Sequence, residues 1–181
     1  MIINNQKILS LAKSVRLLLL DVDGVLTDGK LYFGNNGEEL KAFDIQDGLG
    51  IKLLQRSGVK VGIITGRSSK LVARRAKDLG IQLIIQGRED KLTALKEILD
   101  DTRKSENYHM QEIAFLGDDL PDVAVIRQVG LGVAVANAHE FVAKNSHWQT
   151  SSNGGHGAVR ELAELILRAQ DNLDSILTDY L

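Results

Sequence analysis

The chain contains no cysteine, which excludes disulfide cross-links and thiolate chemistry and removes any need for an oxidising compartment. Its lysines and arginines are scattered, aromatics make up only 4% of the residues and the net charge is −2, so the basic, aromatic-studded face of a nucleic-acid binder is missing. No apolar run reaches the length of a membrane span, and residues 1–13 carry neither a long apolar core nor a small-residue cleavage site. The expectation is a cytoplasmic protein with no signal peptide, no membrane contact and no nucleic-acid partner. His109, His139, His147 and His156 lack metal-ligand spacing and read as surface or loop residues, with His156 set apart by its glycine-rich surroundings. Nucleotide signatures are missing too: Gly130-Leu131-Gly132 opens like a dinucleotide fingerprint, but Val135 stands where the third glycine belongs, and no phosphate loop ending in Lys-Ser or Lys-Thr occurs. Repeats and low-complexity linkers are absent, and 181 residues that are 44% apolar suffice for one domain, 1–181, with its own core.

What is present is organised around residues 17–29, Leu-Leu-Leu-Leu-Asp-Val-Asp-Gly-Val-Leu-Thr-Asp-Gly. A short unbroken apolar run between polar flanks reads as a strand buried on both faces, the kind found in helix-covered parallel sheets. Asp21 and Asp23 stand where that strand ends, and the carboxyl ends of parallel strands are where such sheets bind ligands. Strand alternation puts both carboxylates on one side and Val22 on the other. Two acids sharing a face repel, and a hard divalent cation such as Mg²⁺ offsets the repulsion. A polar turn after a strand explains the isolated four-residue pattern equally well.

Ahead of that strand, Ile8, Leu9, Leu11 and Ala12 make a short helix expected to pack on the sheet edge. Residues at about 30–43 read as a β-hairpin with a φ-positive turn at 34–37, and 44–48 as a loop into a helix burying Ile51, Leu53 and Leu54 and closing near Ser57-Gly58. Strands at 59–65, 82–86, 112–116 and 131–136 then alternate with helices at 69–79, at about 91–101 and after Pro121. That alternation predicts an α/β fold, a doubly wound and mainly parallel sheet. Residues 151–157 read as the most flexible stretch, opening a C-terminal tail, 151–181, whose helix carries Val159, Leu162, Leu165, Ile166 and Ala169 on one side. Trp148 reads as a packing residue.

Three further stretches carry candidate chemistry. Thr65-Gly66-Arg67-Ser68 ends a core strand and offers either an oxyanion cradle, made of a hydroxyl and backbone N–H groups, or a helix N-cap. Lys91 opens a helix, where a cation opposes the helix dipole unless it faces an anion; the alternative is an ordinary solvated lysine. Gly117-Asp118-Asp119-Leu120-Pro121-Asp122 repeats, after a second buried strand, the carboxylate cluster seen at Asp21 and Asp23. A shared metal explains both clusters, while Asp119 or Asp122 could instead cap the helix that Pro121 begins.

The order Asp21-x-Asp23, Thr65, Lys91, Gly117-Asp118-Asp119-x-x-Asp122 resembles the four motifs of the haloacid dehalogenase superfamily of phosphatases. Val25-Leu26-Thr27-Asp28-Gly29, the 34–43 hairpin, Thr65-Gly66-Arg67 and Gly154-Gly155-x-Gly157-Ala158-Val159-Arg160-Glu161 are similar to its capless branch acting on 3-deoxy-D-manno-octulosonate 8-phosphate (KDO 8-phosphate). The resemblance implies a Rossmann-like core with no cap domain, and a Mg²⁺-dependent hydrolase releasing phosphate from that sugar acid on the way to lipopolysaccharide. It implies that Asp21 is nucleophile and metal ligand, that Asp23 binds metal through its carbonyl while its carboxyl serves as acid and base, and that Asp118 completes the metal set with Asp119 and Asp122 behind it. Thr65 and Lys91 would hold the phosphoryl group. Asp23, Asp44, Ile45, Gln46, Asp47, Gly48, Lys52, Arg67, Arg75 and Lys91 would contact substrate. It further implies a homotetramer with hairpins at its centre and active sites at subunit interfaces, over which Gly154, Gly155, Gly157 and Arg160 act as a lid. Three other readings stay open at this point. One is a phosphatase for a sialic-type 9-phosphate, whose relatives carry an acidic residue where Arg67 stands. Another is a phospho-accepting receiver domain, in which the phosphorylated aspartate ends a later strand. The third is a catalytically idle relative, although no motif residue is missing here.

Overall fold

The computed structural model describes residues 5–35, 39–102 and 108–181. In chain order the elements are Gln6–Lys13 (α1), Leu17–Leu20 (β1), Tyr32–Phe33 (β2), Glu39–Leu40 (β3), Ile45–Arg56 (α2), Lys60–Ile64 (β4), Lys70–Asp78 (α3), Leu83–Ile85 (β5) and Lys91–Thr102 (α4). They continue with Ile113–Gly117 (β6), Val123–Ile126 (α5), Leu131–Ala134 (β7), Glu140–Asn145 (α6), Trp148–Gln149 (β8), Ala158–Ala169 (α7) and Leu173–Thr178 (α8).

Six strands form one sheet in the order β5-β4-β1-β6-β7-β8, every pair parallel. The four leucines of β1 explain its central place. Leu18 and Leu20 enter a core shared with Ile51, Leu162 and Ile166, while Leu17 and Leu19 enter a second core with Leu95 and Phe115 on the opposite face. From β1 the chain winds outward through β4 and β5, then crosses back to build β6, β7 and β8 on the other flank. The winding reverses between β1 and β6, and a crevice opens at such a switch point beyond the carboxyl ends of the strands. Both carboxylate clusters leave the sheet there.

Several elements differ from the sequence expectation. α1 packs on α7 and touches β7, one strand in from the edge, rather than covering the edge itself. Residues 45–48 are the first turn of α2, not a loop, because Asp44 caps the helix through Oδ1, which accepts from the N–H of Gln46 at 2.5 Å and of Asp47 at 3.2 Å. β2 and β3 pair antiparallel as expected, with Tyr32 opposite Leu40; of the turn expected at 34–37, residues 36 and 37 lie outside the described residues. Pro121 falls in a short 3-10 turn, Leu120–Asp122, before the four-residue α5. α6 and β8 lie outside the elements the sequence pattern predicts, being too short to show periodicity, and α8 is a separate short helix within the expected 151–181 tail. The 151–157 stretch is held rather than loose: Gly154 N–H donates to Asn137 Oδ1 at 2.9 Å and Gly155 N–H to the Val25 carbonyl at 2.8 Å. Among the described residues no helix is long and apolar enough to cross a membrane.

Candidate active site

Asp21 is the first residue past β1, and its N–H still donates to the Leu116 carbonyl of β6 at 3.1 Å, which fixes it against the neighbouring strand end. Asp118 follows β6 directly. The turn after Asp21 needs glycine at position 24: φ is +91°, and a Cβ there would stand 2.0 Å from Asp118 Oδ2. Gly154 packs on this same turn, since a Cβ on it would lie 1.7 Å from the Gly24 carbonyl oxygen. Backbone contact therefore brings the two carboxylates together.

Lys91 reaches this cluster from the start of α4. It is 4% exposed, and its ammonium lies 2.9 Å from Asp21 Oδ2 and 2.5 Å from Asp122 Oδ1. The unfavourable place of a cation at a helix N-terminus is thus answered by two anions. Burial opposes the Lys91 charge, but Asp21 and Asp122 outweigh it and hold its pKa above the ordinary value. Asp122 is heavily engaged: besides Lys91 at Oδ1, its Oδ2 accepts from the N–H of Asp118 at 2.9 Å and of Asp119 at 3.2 Å. It stiffens the loop that carries Asp118. Asp119 caps the 3-10 turn through the Leu120 N–H at 2.8 Å.

Burial, then repulsion from Asp122, raises the Asp21 pKa to about 6 against the pull of Lys91. Burial, followed by Asp21 and Asp122, raises Asp118 to about 8. Asp118 Oδ1 is buried with no hydrogen-bond partner among the described residues. Carboxylate oxygens of Asp21, Asp118 and Asp122 lie within 4.8 Å of one another. An orphaned acceptor among excess negative charge, with an all-oxygen donor set, fits a hard divalent cation. Asp122 already accepts three hydrogen bonds, which makes Asp21 and Asp118 the better placed side chains to hold it.

Asp23 is turned elsewhere. Its Oδ1 pairs with the ammonium of Lys41, and its Oδ2 lies 3.8 Å from Arg67 Nε. Thr65 is buried at the end of β4, its Oγ1 accepting from the Arg67 N–H at 3.4 Å; the N-cap of α3 is Ser69, so the capping alternative for Thr65 does not apply. Asp21, Asp23, Thr65, Arg67, Lys91 and Asp118 line one crevice of about 370 Å³.

Residues 83–162 match the haloacid dehalogenase-like hydrolase family. The 3-deoxy-D-manno-octulosonate 8-phosphate phosphatase KdsC of Yersinia pestis is 50% identical over 163 residues, 90% of this chain and 85% of that protein. KdsC of Escherichia coli K12 is 47% identical over 167 residues, 92% and 87% of the two chains. The crystal structure of the Moraxella catarrhalis phosphatase of the same name, in complex with magnesium ion, phosphate ion and KDO, matches with a TM-score of 0.92 at 46% identity, covering 97% of this chain and 98% of that one. The chain belongs to the KdsC family of haloacid dehalogenase-like hydrolases.

Not every residue expected at a KdsC-type site reaches this crevice. Asp44, Ile45, Gln46, Gly48, Lys52 and Arg75 lie outside its lining. Arg75 donates to the Asp44 carbonyl at 3.0 Å and stacks over Phe43, so within this chain it braces the start of α2. Asp47 is 1% exposed and accepts from the N–H groups of Arg160 at 2.8 Å and Gly157 at 3.3 Å, which makes it the cap of α7. Burial raises its pKa, opposed by those backbone donors. Gly154 and Gly155 pack against the 24–28 turn, and Gly157 and Arg160 form the capped start of α7, so in this chain none of the four lines the crevice. The four histidines also lie outside it. Sequence reasoning missed Lys41, which carries no local signal, and Glu89, which lines the crevice from the loop before α4.

Proposed function

We propose that this KdsC-family chain is a single-domain, magnesium-dependent phosphatase that hydrolyses KDO 8-phosphate to KDO and phosphate. The observation that carries the reading is Asp21 at the strand switch point, paired with buried Lys91 and facing the orphaned Asp118 carboxylate. Phosphoryl transfer needs an in-line nucleophile, positive charge on the equatorial oxygens and a proton for the leaving alkoxide. Lys91 holds Oδ2 of Asp21, and the other oxygen attacks phosphorus. The bond from phosphorus to the sugar oxygen breaks, and Asp23 gives that oxygen its proton. Asp23 then takes a proton from the water that attacks the aspartyl-phosphate, freeing inorganic phosphate and restoring Asp21. Magnesium, held by Asp21, Asp118 and the Asp23 carbonyl, supplies charge neutralisation at the phosphoryl oxygens. Thr65 and Lys91 orient the phosphoryl group, and Arg67, at the crevice mouth, suits the sugar carboxylate.

The active form on this reading is a homo-oligomer, a tetramer. Phe33 is 67% and Leu40 66% exposed on the β2–β3 hairpin, with Leu31 and Tyr32 beside them, an apolar ribbon that a second copy of the chain would cover. Arg75, the α2 start and the 154–160 segment would then complete a neighbouring crevice rather than their own. The cytoplasm suits a chain without disulfides, and the product serves lipopolysaccharide synthesis. Phosphate release from a panel of sugar phosphates tests the substrate. KDO 8-phosphate should exceed a sialic-type 9-phosphate and hexose phosphates by at least tenfold in kcat/KM, and a flat profile would reject it.

A further inference from the structure

Lys41 has no part in the site as the family motifs draw it, yet its position is unusual. It follows β3 directly, on the return arm of the hairpin, and its side chain is only 1% exposed, against 21% for Asp23. Lysine is almost never fully buried unless paired, and its ammonium is paired with Asp23 Oδ1. Lys41 does not line the crevice, and it meets that lining through Asp23. Asp21 and Asp23 leave the strand on the same side, and an unconstrained Asp23 carboxylate would be free to join the acidic cluster. Asp23 is nevertheless absent from the group of carboxylates close enough to share an ion, Asp21, Asp118 and Asp122. The aspartate χ2 torsion is soft, so the direction of its oxygens depends on what holds them.

We propose that Lys41 is a positioning residue of the phosphatase reaction: it holds Oδ1 of Asp23, keeping that carboxyl out of the metal cluster and leaving Oδ2, on the Arg67 side of the crevice, for proton transfer. The inference rests on the assignment of Asp23 as the acid and base. It gives the hairpin a chemical consequence, since the same arm carries the exposed Leu40 and the buried Lys41.

The test compares two leaving groups in saturating Mg²⁺. A sugar alkoxide needs a proton to depart, whereas 4-nitrophenolate does not, and kcat/KM reports the steps through formation of the aspartyl-phosphate. Lys41→Met should lower kcat/KM for KDO 8-phosphate by about 10- to 100-fold and for 4-nitrophenyl phosphate by less than about threefold. Lys41→Gln should show the same pattern, and in both variants the Mg²⁺ concentration for half-maximal activity should shift from the wild-type value, because the freed Asp23 carboxyl reaches the metal cluster. In an Asp23→Asn background Lys41→Met should add no further loss, because the two residues act as one unit. Equal losses on both substrates, additive losses in the double variant, or failure of both Lys41 variants to fold would assign Lys41 to stability and overturn the proposal. Asp23→Asn alone separates the two claims. If it leaves sugar-phosphate turnover intact, the acid–base assignment falls and this inference with it; if Asp23→Asn is impaired while the Lys41 variants are not, Lys41 alone is refuted.

Discussion

Replacing Lys91 by methionine keeps the chain length and removes the one buried cation between Asp21 and Asp122. At separations of 2.9 and 2.5 Å and an effective dielectric near 20, each attraction is about 6 kcal/mol before desolvation. Most of that is offset by taking three charges out of water, and deleting one partner of a buried pair typically costs about 3–5 kcal/mol. For a domain of this length a loss of that size lowers Tm by roughly 10 °C. The deficit should depend on pH. Without the ammonium Asp21 loses the charge that pulls its pKa down, so its native pKa, already raised to about 6, moves further above the unfolded one and the native state holds more protons than the unfolded chain. The variant therefore recovers as pH falls toward about 5 and is weakest above about 7. Thermal unfolding in chelator at pH 5 and pH 8 measures this. A Tm at pH 8 within about 2 °C of wild type, or a larger deficit at pH 5, would refute the reasoning.

Other outcomes follow from the same geometry. Asp118→Asn should abolish turnover yet stabilise the metal-free protein at neutral pH by about 2–4 kcal/mol, because it removes a half-buried acid whose native pKa is raised to about 8. Correspondingly, the metal-free wild type should lose stability as pH rises from about 4 to about 8, with a shallower slope in Asp118→Asn; urea titrations across that range check both. Arg67→Ala should weaken KDO 8-phosphate by about tenfold or more and a small aryl phosphate far less, in paired kinetics, since an arginine fork matches the carboxylate that only the sugar carries. Light scattering should give the mass of four chains, and a Phe33→Glu variant should dissociate.

The meeting of Asp21 and Asp118 was legible because each acid ends a buried apolar strand, a local and unusual pattern at both positions. Lys91 was legible as a cation at the wrong end of a helix. The rest depended on distant parts of the chain. Asp47 stands three residues after Asp44, and nothing near it in sequence marks its hydrogen bond to the Gly157 N–H 110 positions away. Lys41 meets Asp23 only once the hairpin has folded back, and nothing near it in sequence marks that contact. The glycines at 154 and 155 resembled a flexible turn, yet they serve close backbone packing against the Gly24 turn. α6 and β8 are too short for hydrophobic periodicity to announce.

The central claim, that Asp21 attacks phosphorus, is tested most directly by quenching the enzyme in acid during turnover of KDO 8-phosphate and reducing with borohydride, which converts an aspartyl-phosphate to homoserine. Peptide mass spectrometry should then find homoserine at position 21 only when substrate and magnesium are both present. Homoserine at another aspartate, or none at all in enzyme quenched at full steady-state rate, would contradict the account.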